Sequence, residues 1–122
     1  MSALSPRQMF LLDEACRPIR QAFGTPPYLV GTANVRGPYR DVDVRLILDD
    51  ERYDILAALD SGLVPFMGLA LGEYLAARTG LPIDFQVQRQ TEANAAHNGV
   101  RNPLGMRTLA NYCGDAPAEE VG

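Results

Sequence analysis

The stretch GTANVRGPYRDVDVRLIL, residues 31–48, decides how this chain folds. Its second half alternates. Val42, Val44, Leu46 and Leu48 fall on one side of an extended backbone; Asp41, Asp43, Arg45 and Ile47 fall on the other. A period of two marks a strand with one buried face. Yet strands disfavour aspartate, whose short polar side chain competes for backbone hydrogen bonds and packs poorly on a pleated surface. Two aspartates one residue apart in such a strand ask for a reason.

Working outward, YLVG at 28–31 reads as a short apolar strand closed by glycine. Residues 32–40 read as a loop punctuated by Gly37-Pro38, with room for one helical turn. Upstream, Ser5-Pro6 is a helix start, a capping hydroxyl with proline at the first helical position. Met9, Phe10, Leu12, Ala15, Cys16, Ile19 and Phe23 then recur at roughly helical spacing until Gly24 and the Pro26-Pro27 pair. Downstream, Asp49-Asp50-Glu51 predicts a capped helix over 51–59, where acids suit the positive end of the helix dipole. A second helix is predicted over 65–78, closed by Gly80 and Pro82, with Phe66, Met67, Leu69, Ala70 and Leu71 as core. Residues 83–87 alternate again, with Ile83, Phe85 and Val87 on one face and Asp84, Gln86 and Gln88 on the other. A short helix follows over 91–96, with His97-Asn98-Gly99 as its exit turn, and residues 101–112 suggest a last docking helix.

The fold expected is α/β (α+β): a small mixed sheet of three or more strands with helices packed on one face. Residues 1–113 read as one domain and 114–122 as a disordered acidic tail. No internal repeat or dividing linker is visible.

Composition narrows the function. Of 122 residues, 47% are hydrophobic and 21% charged, an ordinary balance for one modest core. No apolar run approaches the roughly 20 residues of a membrane span. The start, MSALSPRQMF, lacks the pattern of a signal peptide, so a cytoplasmic location is expected. The net charge of −4 carries no strong nucleic-acid-binding signature. Every basic side chain is arginine, which excludes a lysine nucleophile or Schiff base. Cys16 and Cys113 stand far apart and read as free thiols; with His97 as the single histidine, they do not make a zinc site. No serine sits in a glycine-rich nucleophile turn, which argues against a serine hydrolase.

The acids are the informative feature. If the two alternating strands are neighbours, Asp41, Asp43 and Asp84 converge on one sheet face. Residues i and i+2 lie about 6.6 Å apart along a strand, so their carboxylates can lean toward one divalent cation or two close ones. Without a cation, repulsion raises a pKa or splays the side chains; with Mg²⁺ it becomes affinity. The same alternation also fits a one-sided sheet in which Arg45 neutralises an aspartate. Gly31-Thr32 is a corner where backbone amides can approach a phosphate, with Arg36 and Arg40 adding charge-assisted contacts. A plain tight turn and solvated arginines fit that corner too.

In their order on the chain, Val30-Gly31-Thr32, Asp41-Val42-Asp43-Val44 and Ile83-Asp84-Phe85 resemble the polymerase β-like nucleotidyltransferase superfamily, especially its minimal members. Arg36-Gly37 is similar to the Arg-Gly of the family's intervening loop. Thr32 stands where serine or glycine is usual, keeping the hydroxyl and adding a methyl, and the interval from Thr32 to Asp41 is slightly short. The resemblance spans residues 28–87. It implies that Asp41, Asp43 and Asp84 are metal-binding and catalytic, with Mg²⁺ or Mn²⁺ as cofactor. It implies that Gly31, Thr32, Arg36 and Arg40 bind ATP or another nucleoside triphosphate. A nucleoside monophosphate would pass to a hydroxyl acceptor on a protein, an RNA end or a small molecule. A protein partner, as in a toxin–antitoxin pair, or self-association would complete the acceptor site. A degenerate, non-catalytic nucleotide-binding or protein-interaction module of the same fold is the alternative.

Overall fold

A computed structural model describes residues 3–34, 38–96 and 99–107. The first helix, α1, is Pro6–Phe23. Ser5 caps it with a full capping box: its side chain accepts from the Gln8 N–H, and the Gln8 side chain accepts from the Ser5 N–H. The helix ends where Gly24 turns left-handed, at φ 73°. It buries the stripe Met9, Leu12, Ala15, Cys16 and Ile19.

The chain then forms β1, Tyr28–Val30, a 3₁₀ turn over Thr32–Asn34, and β2, Val42–Leu48. Helices α2, Asp50–Leu59, and α3, Leu63–Thr79, carry it over to β3, Ile83–Arg89. The short α4, Gln90–Ala96, and the two-residue β4, Asn102–Pro103, complete the described elements. The sheet order is β3-β2-β1-β4. β1 runs antiparallel to both β2 and β4, while β2 and β3 are parallel and joined through the two helices. The result is the expected mixed α/β sheet with helices packed against it.

The alternation in β2 is obeyed at every position: Val42, Val44, Leu46 and Leu48 are fully buried. They meet Leu29, Phe85 and Val87 of the neighbouring strands and Leu12, Cys16, Ile19 and Leu75 of the helices. A glycine edge lets α3 come down onto β3. A Cβ on Gly68 would stand 3.3 Å from the Phe85 carbonyl oxygen, and one on Gly72 would stand 3.2 Å from the Phe85 Cβ. Tyr74 Oη ties α3 to α1 by donating to the Ala15 carbonyl at 2.8 Å.

Two expectations are corrected. The core face of α3 is Val64, Gly68 and Leu75, with Met67 and Leu71 partly buried against the core. Phe66 and Leu69 point to solvent, 62% and 63% exposed, and Ala70 is exposed beside them. A helix apolar around its whole circumference has no period to reveal its inner face, and here the glycine edge decided it. The last docking helix is absent from the described part of its span. Residues 102–103 form an edge strand on β1, and Leu104 N–H donates to the Pro27 carbonyl at 2.8 Å. Residues 108–112 of that expected helix, along with His97, Asn98, Cys113 and the tail, lie outside the described residues.

A buried anchor holds this last segment. Asp13 of α1 is fully buried, accepts from the Gly105 N–H at 2.7 Å and pairs with Arg107 at 3.0 Å. Arg107 also donates to the Pro103 carbonyl and to Asn102 Oδ1. Among the described residues, no single helix is long and apolar enough to cross a membrane.

Candidate functional site

The parallel register of β2 and β3 sets Val42 against Ile83, Asp43 against Asp84, and Val44 against Phe85. Asp43 and Asp84 are therefore neighbours on the face opposite the core. Asp41 shares their parity but sits just before β2 begins and is exposed. It stays close enough for its charge to act on Asp43. Antiparallel pairing with β1 brings Val30 opposite Asp43 and Tyr28 opposite Arg45, so both side chains share the polar face.

Gly31 completes the corner. Its φ of 75° is left-handed, and a Cβ there would collide with Asp43 Oδ2. Glycine thus serves twice: it makes the turn, and it leaves room for a carboxylate against the backbone. Gly31→Ala is expected to lower stability by about 1–2 kcal/mol, the left-handed penalty for an L side chain, and to displace the Asp43 carboxylate. Urea unfolding monitored by circular dichroism measures the first effect.

The electrostatics show carboxylates in tension. The Asp43 carboxyl is held above its ordinary range, chiefly by burial, with the charges of Asp84 and Asp41 adding to the shift and Arg45 opposing it. Arg45 is the counterweight. Its guanidinium donates to the Asp84 carbonyl at 2.7 Å and to the Val44 carbonyl at 3.1 Å. It lies 3.5 Å from Asp84 Oδ2 and 3.9 Å from Asp43 Oδ1, with its side chain 14% exposed.

A cavity of about 210 Å³ opens beside this pair, walled by Gly31, Asp43, Arg45, Ile47, Gln88 and Arg101. A second, of about 290 Å³, adjoins it and shares Ile47 and Arg101. The structure thus brings Gly31, Asp43 and Asp84 together with Asp41 at the entrance to β2. Arg40 is exposed immediately before Asp41. Arg36 lies outside the described residues, as does the side chain of Thr32.

Among the described residues, no group of three or more His, Cys, Asp or Glu side chains is arranged as a metal site. The donors that do meet, Asp43 and Asp84, are hard oxygen ligands in mutual repulsion on an open face, which suits Mg²⁺ or Mn²⁺ chemically.

One cavity residue, Arg101, carried no signal in the sequence: it lies in a segment with no strand alternation. Gln88 was legible from its parity with Asp84 and Gln86, and β3 extends far enough to include it. Arg45 was legible from its parity with Asp43. Searches against family models, curated proteins and solved structures return no match for this chain.

Proposed function

We propose that the chain is a metal-dependent nucleotidyltransferase, acting in the cytoplasm on a nucleoside triphosphate and a hydroxyl acceptor. The observation that supports it most is the pairing of Asp43 with Asp84 across parallel strands, on the same face as Asp41 and against the Gly31 corner. In this reading Asp41, Asp43 and Asp84 hold Mg²⁺ or Mn²⁺, which when bound would neutralise charge on the triphosphate and on the departing oxygen. Gly31 keeps the backbone clear of a side chain beside the Asp43 carboxylate, at the corner where the triphosphate would meet the metal. In this reading Thr32, Arg36 and Arg40 would serve as phosphate ligands. Asp84 takes the proton of the acceptor hydroxyl, whose oxygen attacks the α-phosphorus. The bond from that phosphorus to the bridging oxygen breaks, and pyrophosphate leaves. Placement in line contributes much of the rate.

The test is mass spectrometry of proteins, RNA and small molecules after incubation with Mg²⁺, labelled triphosphate and host extract. Transfer of a nucleoside monophosphate is expected. Its absence with all four nucleotides, together with no thermal stabilisation by any of them, would reject the reading.

The pH dependence has a definite sign. A cation competes with protons for Asp43, whose carboxyl titrates above the ordinary 3.8. Stabilisation by Mg²⁺ is therefore expected to fade as pH is lowered, beginning above that value. Thermal shift across a pH series measures it.

Arg45 favours a second reading, a non-catalytic module in which the acids are neutralised internally. Arg45→Gln separates the two. Loss of the guanidinium leaves two partly buried carboxylates facing each other, at a cost of about 1 kcal/mol. If the site takes a cation, Mg²⁺ restores the loss and stabilises the variant more than it does the parent. If it is a structural pair, Mg²⁺ restores nothing.

A further inference from the structure

The two cavities lie side by side, sharing Ile47 and Arg101, and together they mark out a divided groove on the polar side of β2. Its near end is the Gly31–Asp43 corner. Four residues along the strand, about 13 Å at strand spacing, Ile47 forms part of the floor of both compartments. Arg101 stands at the seam between them, steadied by donating to the Ala93 carbonyl at 3.2 Å. The far compartment has a different character. Its charges are already engaged: Asp49 accepts from the Arg52 N–H at the start of α2, and the Arg52 guanidinium donates to the Phe23 carbonyl. What remains there is an aromatic ring, Tyr28, with the hydroxyl of Thr25 and the amide of Gln90. An aromatic surface beside an amide, which both donates and accepts, suits a flat heterocycle with a polar edge. The near compartment, with the Arg45 and Arg101 guanidiniums among its walls and a glycine corner at its end, suits phosphate. Joined, the compartments reach the size that encloses small ligands, about 300–1,000 Å³.

We infer that this divided groove is the nucleoside pocket of the same site. The base lies over Ile47 in the far compartment beside Tyr28, Thr25 and Gln90, and Arg101 contacts the phosphate nearest the sugar. The inference rests on the nucleotide reading of the Gly31–Asp43 corner. It adds a place and a set of residues for the part of the ligand that the acids do not touch.

Calorimetric titration in Mg²⁺ with each ribonucleoside triphosphate, and separately with inorganic tripolyphosphate, tests it. At least one nucleotide is expected to bind tenfold or more tightly than tripolyphosphate. Thr25→Trp, which fills the far compartment, and Gln90→Leu, on the exposed start of α4, should each remove most of that preference. Both should leave tripolyphosphate binding unchanged, which also shows that the variants fold. Arg101→Gln should weaken the preferred nucleotide about tenfold. Should tripolyphosphate bind as tightly as every nucleotide, or should both groove variants bind nucleotide like the parent, the pocket assignment is overturned while the phosphate corner stands. If neither tripolyphosphate nor any nucleotide binds, the nucleotide reading itself falls and takes this inference with it.

Discussion

Gly105→Ala is expected to destabilise the protein by about 3 kcal/mol, combining a left-handed backbone penalty of about 1–2 kcal/mol with overpacking of about 1–3 kcal/mol. In a chain of this size that is a fall in melting temperature on the order of 10 °C. Gly105 has a φ of 80°. A Cβ there would stand 2.9 Å from the Cys16 carbonyl oxygen, 3.0 Å from its carbon and 3.1 Å from the Arg17 nitrogen. All three atoms are helix backbone, so none can swing aside. Segment 102–107 would have to lift from α1, and the Asp13 carboxylate would lose its 2.7 Å donor while fully buried. Thermal and urea unfolding measure the loss; a change below about 1 kcal/mol, less than the backbone term alone, would show that the segment is not docked in this way. Asp13→Asn is the companion. Burial holds the Asp13 carboxyl above its ordinary 3.8, against the opposing pull of Gly105 and Arg107. Between 3.8 and its raised value the folded state binds more protons than the unfolded one. The stability this group contributes is therefore greatest below 3.8 and falls as pH rises through that window. Asp13→Asn removes the slope, so the advantage of the parent over the variant should shrink as pH rises.

That anchor was invisible in the sequence, and the reason is physical. Asp13 sits between apolar helix positions and reads as a solvated charge. Its partners come from 92 and 94 residues away, and nothing local announces them. The left-handed turn at Gly105 instead broke what the spacing of Leu104, Met106 and Leu109 suggested as a helix. Helix α3 failed differently: with apolar residues all round, Phe66 and Leu69 could not be told from Met67 and Leu71 until the close approach to Phe85 fixed the helix rotation. The polar face of the sheet was legible for the opposite reason. In β2 and β3 a period of two leaves each side chain only two directions, so once the strands pair in parallel register Asp43 and Asp84 must be neighbours. Alternation fixes direction along a strand, however, and says nothing of what a returning loop lays across it. Arg101 was beyond reach for that reason. The 3.5 Å approach of Arg45 to Asp84 was only half foreseeable: its face followed from parity, its reach across to β3 did not.

Asp43→Asn should reduce the proposed nucleotidyl transfer by at least about 10²–10³-fold, the scale of losing one preorganised electrostatic contact to a transition state. The substitution preserves shape, and the Val44 and Val42 packing on either side is untouched. What changes is charge. Asparagine offers a neutral oxygen to a divalent cation in place of an anionic one, and hard cations discriminate strongly between them. Stability should move the other way or hardly at all. Ionised Asp43 is held in place against burial and against the charges of Asp84 and Asp41, so neutralising it relieves repulsion while Arg45 keeps Asp84 as a partner. Activity lost with the melting temperature unchanged or raised is the signature of a group kept for function against its own stability. Glu51→Gln, at an exposed acid in the first turn of α2 that lines neither cavity, should leave transfer intact and so controls for net charge. Full transfer by Asp43→Asn in Mg²⁺ would remove the metal assignment. Activity unchanged and stability lowered would instead make the Asp43–Arg45 contact a structural pair, and the aspartates alternating along this strand would then need no ligand to explain them.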